Sequence, residues 1–290
     1  MNKLIKQAFT LIELLVVIAI IGILSGLIVV AMGGVTQKAT TAKAQIFSNS
    51  LRNSLMMNLI SEWKFDEGSG SATIDSWQNI TGTLIGASHL PVWKTENDCV
   101  FKNCLQFDSS EDYINVTNIN ISGDYSVEGW VKMGVSAGGA NRSLVDFGAS
   151  VDGYPRLRIT YSTTTRPLIY LNSSNYKYGT FNFADGKWHH LYFVITGSAI
   201  NDILNSKIYI DGKEDTYYDT SNGSSPVVPT GIAHIGYLSN SILDNIRIYD
   251  TAISTSQIKE QYYTGLNNLL ANGGITSEEY LSRINNIANK

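Results

Sequence analysis

The most constraining feature of this 290-residue chain is an uncharged apolar run near its N-terminus, residues 14–32. At about 1.5 Å per helical residue this run reaches roughly 28 Å, which is close to the hydrocarbon thickness of a bilayer. A single strand of this length would leave its backbone unpaired in lipid, whereas a helix pairs its own backbone groups. The run therefore predicts a membrane-spanning helix, and Lys3 and Lys6 favour a cytoplasmic N-terminus.

The residues before this run indicate more than a simple anchor. A secretory signal peptide places a small-residue cleavage site after its apolar segment, but here the small residue, Ala8, precedes it. Glu13 puts an ionisable group at the lipid edge, which costs about 2.5–3.5 kcal/mol. A cut between Ala8 and Phe9 would create an α-amino cation four residues before Glu13, available to the neighbouring copy of the same helix. An ordinary signal anchor is the alternative.

The N-terminus contains the stretch Lys6-Gln7-Ala8-Phe9-Thr10-Leu11-Ile12-Glu13-Leu14-Leu15-Val16-Val17. It resembles the prepilin leader and N-terminal helix of type IV pilins and type II secretion pseudopilins, over about the first 60 residues. The resemblance implies that a prepilin peptidase cuts before Phe9 and methylates its amine, and that Glu13 pairs with this amine during filament assembly. Ala8 replaces the Gly that is usual in the family. The implied partners are the peptidase, other pilin or pseudopilin subunits, and the membrane.

Composition gives a second constraint. Charged residues make up 16% of the chain, the formal net charge is −4, and no run of five basic residues follows the leader. A nucleic-acid-binding surface is therefore not expected. Beyond residue 60 the sequence is dense in Asn, Ser, Thr and Gly, as in turn-rich extracellular β-domains. Cys99 and Cys104 predict a small-loop disulfide in an oxidising compartment, and two free thiols are the alternative.

Hydrophobic periodicity predicts one long helix through about Ile60, followed by strands. Short apolar or alternating runs broken by turn residues predict twelve strands, at 62–66, 82–86, 104–108, 113–117, 126–133, 143–147, 156–161, 167–171, 189–196, 207–210, 233–236 and 241–249. Because no helical pattern lies between them, they favour a two-sheet antiparallel sandwich. Asp211-Gly212 predicts a tight hairpin. Capping boxes at Ser254 and Thr276 predict two C-terminal helices, the first ending near Gly265.

Six segments of the strand-rich region match a second family in order. They are Trp63-Lys64-Phe65-Asp66-Glu67-Gly68-Ser69-Gly70, Leu105-Gln106-Phe107-Asp108 with Asp112-Tyr113-Ile114, Val127-Glu128-Gly129-Trp130-Val131-Lys132, Asp185-Gly186-Lys187-Trp188-His189-His190, Ile208-Tyr209-Ile210-Asp211-Gly212 and Ile242-Leu243-Asp244-Asn245-Ile246-Arg247-Ile248-Tyr249. Together they resemble the laminin-G-like, concanavalin A-type jelly roll of bacterial surface proteins. The expected fold is mainly β, a jelly-roll sandwich on a pilin-type stem helix. The expected domains are a leader (1–8), a transmembrane and stem helix (9–60), a laminin-G-like jelly roll (61–253) and a helical tail (254–290).

The jelly-roll resemblance implies a structural calcium ion held between the first strand turn and the last strand. The oxygen donors at matching places are Asp66, Glu67, Asp75, Asn79 and Asp244. A hard cation prefers such a mixture of carboxylates and carbonyls. The alternative is that these residues only form turns and a hydrogen bond at a strand end. Sugar binding follows from fold analogy, and candidate stacking residues are Tyr176, Tyr178, Tyr217 and Tyr218.

Catalysis is not expected. A retaining glycosidase needs two carboxyl groups about 5–5.5 Å apart, and enzymes on this fold carry them as Glu-x-Asp-x-x-Glu, which this sequence lacks. Glu128 alone cannot supply both acid and nucleophile. His189 and His190 point to opposite faces of a strand, so they predict one core and one surface residue. His89 and His234 are isolated in the sequence.

These observations predict a non-enzymatic type IV pilin-like subunit that displays a jelly-roll domain for adhesion or for binding glycans or surface proteins. It would be a single-pass membrane protein before assembly and part of a surface pilus or pseudopilus afterwards. A minor pseudopilin of a type II secretion or DNA-uptake system is the alternative. A membrane-tethered carbohydrate-active enzyme is a more distant one.

Overall fold

A computed structural model describes residues 11–12, 14–22, 50, 53–109, 111–121, 123–134, 142–148, 154–160, 165–172, 175–196, 202–220, 229–238 and 240–288. The chain divides into two compact units, Met1–Arg52 and Asn53–Lys290. In the first unit, residues 11–12 and 14–22 are helical and exposed. None of the helices in these described ranges has both the length and the apolar character needed to cross a bilayer. Ala8, Phe9, Glu13 and most of the predicted stem helix lie outside the described residues, so the long helix stays a prediction.

The second unit is a sandwich of two antiparallel sheets, which confirms the predicted mainly-β jelly-roll architecture. Its strands are β1 (Leu59–Trp63), β2 (Ala72–Ile74), β3 (Thr81–Ile85), β4 (Val92–Thr95), β5 (Asn103–Phe107), β6 (Asp112–Asn120), β7 (Tyr125–Met133), β8 (Arg142–Phe147), β9 (Arg156–Thr160), β10 (Leu168–Asn172), β11 (Asn175–Gly179), β12 (Trp188–Ile195), β13 (Lys207–Ile210), β14 (Lys213–Glu214), β15 (Tyr217–Thr220), β16 (Thr230–Leu238) and β17 (Ser241–Tyr249).

The order of the eight-stranded sheet is β14-β13-β12-β7-β17-β5-β4, with β1 beside β17. The order of the nine-stranded sheet is β15-β11-β10-β9-β8-β16-β6-β3-β2. Some neighbours are consecutive in sequence, but the central pairs β7-β17 and β6-β16 are far apart in the chain, so these pairs form only after the chain has folded back on itself. The apolar side of each sheet faces the other and forms one core, in which Trp63, Phe107, Val131, Phe147 and Ile235 are almost fully buried. Burying each such side chain contributes about 1.5–3 kcal/mol.

Three helices accompany the sheets, α1 (Asp202–Asn205), α2 (Thr255–Ala271) and α3 (Ser277–Ala288), and a 3₁₀ turn spans Glu96–Asp98. Ile203 of α1 belongs to the core between the sheets, whereas α2 and α3 cover the outer side of the eight-stranded sheet. Ser254 caps α2 in a capping box with Gln257. A second buried cluster joins α2 and α3 to the sheet through residues that include Trp130, Trp188, Tyr262, Leu266 and Ile287.

Three sequence-based expectations differ from the structure. Helical residues end at Met57 and β1 begins at Leu59, because Leu59 and Trp63 alternate into buried positions while the residues between them are less buried or polar. Helix α2 continues through Gly265, where the missing side chain makes room for the Trp130 ring. The unpredicted strands β2, β4, β11, β14 and β15 are short and carry few apolar residues. The predicted hairpin at Asp211-Gly212 is confirmed, since both residues have positive φ angles of 51° and 75°.

Candidate functional site

A row of polar and aromatic side chains crosses the nine-stranded sheet. Direct cross-strand partners from β3 to β11 form the row Thr83, Asn115, His234, Asp146, Arg156, Tyr170 and Tyr176. Directly opposed residues of neighbouring strands point to the same face. The adjacent positions Ile114, Val145, Leu157 and Ile169 belong to the core between the sheets. The row therefore lies on the outer face.

A second row runs beside the first on the same face. Its members are Tyr237, Ser143, Arg158, Leu168 and Tyr178. We use the name Arg-Tyr face for the two rows together with Tyr113, whose ring contacts His234 and Tyr237 at centroid distances of 4.3 Å and 5.8 Å. The sheet pairing thus collects, on one surface, residues from seven strands that are scattered through more than 150 positions of the sequence.

The charged residues of the Arg-Tyr face are packed against its aromatic rings. The guanidinium carbon of Arg158 lies 4.2 Å from the ring centroid of Tyr170, and that of Arg156 lies 5.7 Å away. Arg156 Nε is 3.6 Å from Asp146 Oδ1. Cation–π contacts and an ion pair of this kind hold long side chains in fixed positions. Tyr176 and Tyr178 form an edge-to-face pair with centroids 5.2 Å apart.

Burial differs between the centre and the rim of this face. Asp146, Arg156 and Arg158 are only 4%, 8% and 5% exposed, whereas the tyrosines around them are half-buried. Burial lowers the pKa of His234, although Asp146 opposes the shift, so His234 is neutral at neutral pH. The half-buried rings can stack on the apolar side of a ligand, and the buried Arg158 guanidinium packs against the Tyr170 ring and holds it in position.

The predicted sugar-stacking tyrosines separate into two groups. Tyr176 and Tyr178 are part of the Arg-Tyr face. Tyr217 is not, because its hydroxyl donates to Glu214 and the Lys177 ammonium lies 3.6 Å above its ring. The side chain of Tyr218 lies outside the described residues. Sequence reasoning missed Arg156, Arg158 and Asp146, because polar positions in a strand look alike until the register of the strands is known.

The five predicted calcium ligands differ in what their oxygens bind. Asp75 Oδ1 accepts hydrogen bonds from the backbone of Glu62 and Trp77, and Glu67 Oε1 accepts from Thr73 and from the backbone of Ile74. Asn79 lies in a turn with φ 56°. These three residues therefore form turns and local hydrogen bonds, as the alternative interpretation expects.

Asp66, Asp75 and Asp244 each keep one oxygen that could contact an ion. Among the described residues, Asp66 Oδ1, Asp75 Oδ2 and Asp244 Oδ1 are buried and have no hydrogen-bond partner. Burial raises the pKa of Asp244 well above its usual range, and the neighbouring Asp66 carboxylate raises it further. Two neighbouring carboxylates that each have a buried oxygen repel one another, and a hard divalent cation would satisfy both.

A small disulfide loop supports Asp244. Cys99 and Cys104 form a disulfide with their Cα atoms 5.6 Å apart. Within this loop the backbone N–H groups of Val100 and Phe101 donate to Asp244 Oδ2 at 2.9 Å and 2.8 Å. Closing the loop restricts these two donors and thereby orients the Asp244 carboxylate, with its free oxygen directed away from them.

Glu128 and the two adjacent histidines are structural. Glu128 accepts hydrogen bonds from Arg247, Tyr249 and His190 at 2.8–2.9 Å, and both Glu128 and His190 are 1% exposed. Burial alone would raise the pKa of Glu128, but Arg247 and His190 lower it. Tyr262 of α2 stacks over His190. This network is closed to a substrate.

The expectation that one of the two histidines lies on the surface is wrong. His189 is 5% exposed, with Nδ1 2.8 Å from Asp211 and Nε2 3.1 Å from Asp185. The two rings do point to opposite sides of β12, as predicted, but each side is covered. Phe181 and Phe183 pack on His189, and α2 lies over His190. Whether these two histidines are buried therefore depends on the loops and helices that pack on the sheet, which the alternation of side chains along the strand does not predict.

Two parts of the sequence match known families. Residues 5–29 match the prokaryotic N-terminal methylation motif, and residues 108–259 match the laminin G family of the concanavalin A-like lectin/glucanases superfamily. The comparison with curated protein sequences gives no match.

Several solved structures share the fold. Domain 4 of AbnA, a GH43 extracellular arabinanase from Geobacillus stearothermophilus, in complex with arabinotriose, is 20% identical, with 70% of this chain and 97% of that chain covered and a TM-score of 0.55. A botulinum neurotoxin type C structure, from work on cell entry through two ganglioside molecules, is 13% identical, with coverages of 74% and 53% and a TM-score of 0.53. A Trypanosoma rangeli sialidase is 12% identical, with coverages of 71% and 32% and a TM-score of 0.51.

These identities show a shared fold and no more. The chain spans about half the length of the toxin structure and about a third of the sialidase. The family match at 108–259 covers more than half of the 290 residues, and the two-sheet sandwich agrees with it. The chain therefore belongs to the concanavalin A-like lectin/glucanases superfamily and carries a prokaryotic N-terminal methylation motif.

Proposed function

We propose that this protein is a pilin-like surface subunit whose jelly-roll domain binds glycans through the Arg-Tyr face, without catalysis. The methylation motif supports processing by prepilin peptidase and assembly with other pilin subunits. The single observation that carries the binding function is the pair of cross-strand rows, in which buried arginines and half-exposed tyrosines share one outer surface.

The assembly step rests on the residues Ala8, Phe9 and Glu13. Cleavage after Ala8 leaves the amine of Phe9 as the new N-terminus. In the membrane the Glu13 carboxylate selects this amine on the adjacent subunit, because an unpaired charge in lipid is costly. Mass spectrometry of the protein from native membranes is expected to find a methylated N-terminal Phe9, and a chain that still begins at Met1 would contradict this step. Glu13→Gln is expected to abolish filaments, with Thr10→Ser as the matched control that leaves them intact.

The binding step rests on aromatic stacking. The apolar faces of sugar rings pack on the half-buried tyrosines, and the buried arginines hold the tyrosine rings in place. Two proteins of the same fold support this class of ligand, since one was solved with arabinotriose and the other enters cells through gangliosides. The buried position of Glu128, held ionised by Arg247, supports binding without hydrolysis.

A glycan array tests the binding step. The wild-type chain is expected to bind a defined subset of glycans, and Tyr170→Ala is expected to weaken that binding about tenfold, given about 1.4 kcal/mol per factor of ten. Tyr170→Phe keeps the ring and is expected to keep most of the affinity. Tyr280→Ala removes a half-buried tyrosine from α3, on the other side of the domain, and is the matched control. Equal binding by Tyr170→Ala and wild type would contradict the assignment of this face.

We also propose that calcium stabilises the domain through Asp66 and Asp244. The support is one buried oxygen on each of these residues, which lacks a partner in the described part of the chain, and the amides of the disulfide loop that orient Asp244. Calcium is expected to raise the melting temperature of the wild-type chain, and Asp244→Asn is expected to remove that response. An unchanged melting temperature with calcium or chelator would argue for a shared proton instead.

A further inference from the structure

Three potential metal ligands meet where the two sheets approach each other, at a place separate from Asp66 and Asp244. His89 lies between β3 and β4, Asp108 directly follows β5, and Asp112 begins β6. Strand β5 belongs to the eight-stranded sheet, and β6 to the nine-stranded sheet. One donor atom from each of the three residues lies within 4.8 Å of the others. His89, isolated in the sequence, is thus brought beside two carboxylates by the tertiary structure.

The carboxylate of Asp112 is fixed by one oxygen and free at the other. Its Oδ2 accepts hydrogen bonds from the backbone N–H groups of Asp108 and Ser109, at 3.0 Å and 3.1 Å. Its Oδ1 is buried and has no hydrogen-bond partner among the residues that the structure describes, and Asp112 is 0% exposed. A buried carboxylate oxygen without a partner is costly, so a ligand that satisfies it would gain that energy.

Gly86 leaves space beside this oxygen. A Cβ atom at Gly86 would lie 2.8 Å from Asp112 Oδ1 and would overlap the carbonyl oxygen of His89. Any other residue would therefore fill the place next to the unpartnered oxygen. The remaining two side chains are reachable from solvent, since His89 is 55% and Asp108 is 38% exposed, with His89 Nε2 3.5 Å from Asp108 Oδ1.

We propose that His89, Asp108 and Asp112 bind a divalent transition-metal ion of the zinc class, with water completing the coordination. One imidazole and two carboxylates form a donor set suited to zinc, while calcium prefers oxygen ligands alone. Ligands from both sheets would make the ion a cross-link at this end of the sandwich. The site does not depend on the glycan-binding function.

Isothermal titration of the full-length, tag-free chain in detergent with zinc chloride tests the proposal. Calcium is kept in excess throughout, so that oxygen-only sites are already filled. The wild-type chain is expected to bind one zinc ion. His89→Gln and Asp108→Asn are each expected to weaken binding by about 10–100-fold or more, the range known for losses even in the outer shell of a metal site. Both side chains are partly exposed, so both variants are expected to fold, which unchanged melting temperatures without zinc would verify.

The matched control is Glu111→Gln, which removes an exposed carboxylate from the same loop and is expected to leave zinc binding unchanged. The proposal is overturned if the wild-type chain shows no saturable zinc binding, or if His89→Gln and Asp108→Asn bind zinc as tightly as the control variant does. It is also overturned if Glu111→Gln loses binding to the same extent, because the loop would then attract zinc only through its net charge.

Discussion

Replacing His189 by glutamine is expected to remove a defined part of the pH dependence of stability. Burial alone would lower the pKa of His189, but its hydrogen bonds to Asp185 and Asp211 raise it from 6.5 to about 9. At about 1.36 kcal/mol per pKa unit, this shift corresponds to about 3 kcal/mol of stability when the histidine is protonated.

The direction of the effect follows from the folded and unfolded pKa values. Because the folded-state pKa is raised, the contribution is complete below pH 6.5 and disappears as the pH rises through about 9. At the acid end, burial raises the pKa of Asp185, but its hydrogen bonds to His189 and to the Lys187 backbone, together with the charges of both residues, lower it below 3.8. The stabilisation from the Asp185 carboxylate is complete above its usual pKa of 3.8 and is lost as the pH falls through its lowered pKa in the folded state. The pair therefore stabilises the fold most between these limits.

Urea unfolding of the unit Asn53–Lys290 between about pH 6 and pH 10 measures this contribution. Lys177 also titrates in this range, because burial lowers its pKa to about 8. The informative quantity is therefore the difference in unfolding free energy between wild type and His189→Gln at each pH. We expect about 3 kcal/mol at pH 6, declining towards zero above pH 9. Above about pH 7.5, His234→Gln should show the pH dependence of wild type, because burial lowers the pKa of His234 and its ring is neutral there in both the folded and the unfolded chain. A constant difference across the whole pH range would refute the reasoning.

Three further substitutions test how the outer side of the eight-stranded sheet is stabilised. Arg247→Met leaves Glu128 buried without its cation and is expected to cost about 3–5 kcal/mol, whereas adding Glu128→Gln should recover part of that loss in chemical denaturation. Gly265→Ala places a methyl group on the Trp130 ring and is expected to cost about 1–3 kcal/mol and to change the tryptophan fluorescence. Ser254→Ala removes the cap of α2 and is expected to cost about 1 kcal/mol by the same denaturation assay, with Ser254→Asp retaining stability.

Most strands could be predicted because their residues alternate in polarity or form short apolar runs. Strand β7 (Tyr125–Met133) and strand β17 (Ser241–Tyr249) are examples, and both occupy the centre of their sheet. The strands that prediction missed lie at sheet edges or follow tight turns. Strand β2 (Ala72–Ile74) has three residues and β14 has two, too few for a period to be recognised. Edge strands also bury less of their surface, so selection for apolar residues is weaker there.

The candidate sites depend on contacts between residues that are far apart in the chain. Arg158 and Tyr170 become neighbours through the pairing of β9 with β10, and a shift of one residue in that register would turn one of them into the core. His89 meets Asp112 because β3 pairs with β6 across a gap in sequence that contains two other strands. No short sequence pattern predicts the contact between Arg158 and Tyr170 or the proximity of His89 to Asp112.

The sequence by itself determined the N-terminal processing motif, the jelly-roll class and the absence of a paired-carboxylate glycosidase motif, because each of these is a matter of residue type at short spacing. The tertiary structure decided which polar residues face one another. Strand order and register bring arginine beside tyrosine on the Arg-Tyr face, direct the free oxygens of Asp66, Asp112 and Asp244 into buried places, and enclose His189 and His190. The physical reason is that burial and electrostatic pairing depend on distances in space, which a linear order of residues does not contain.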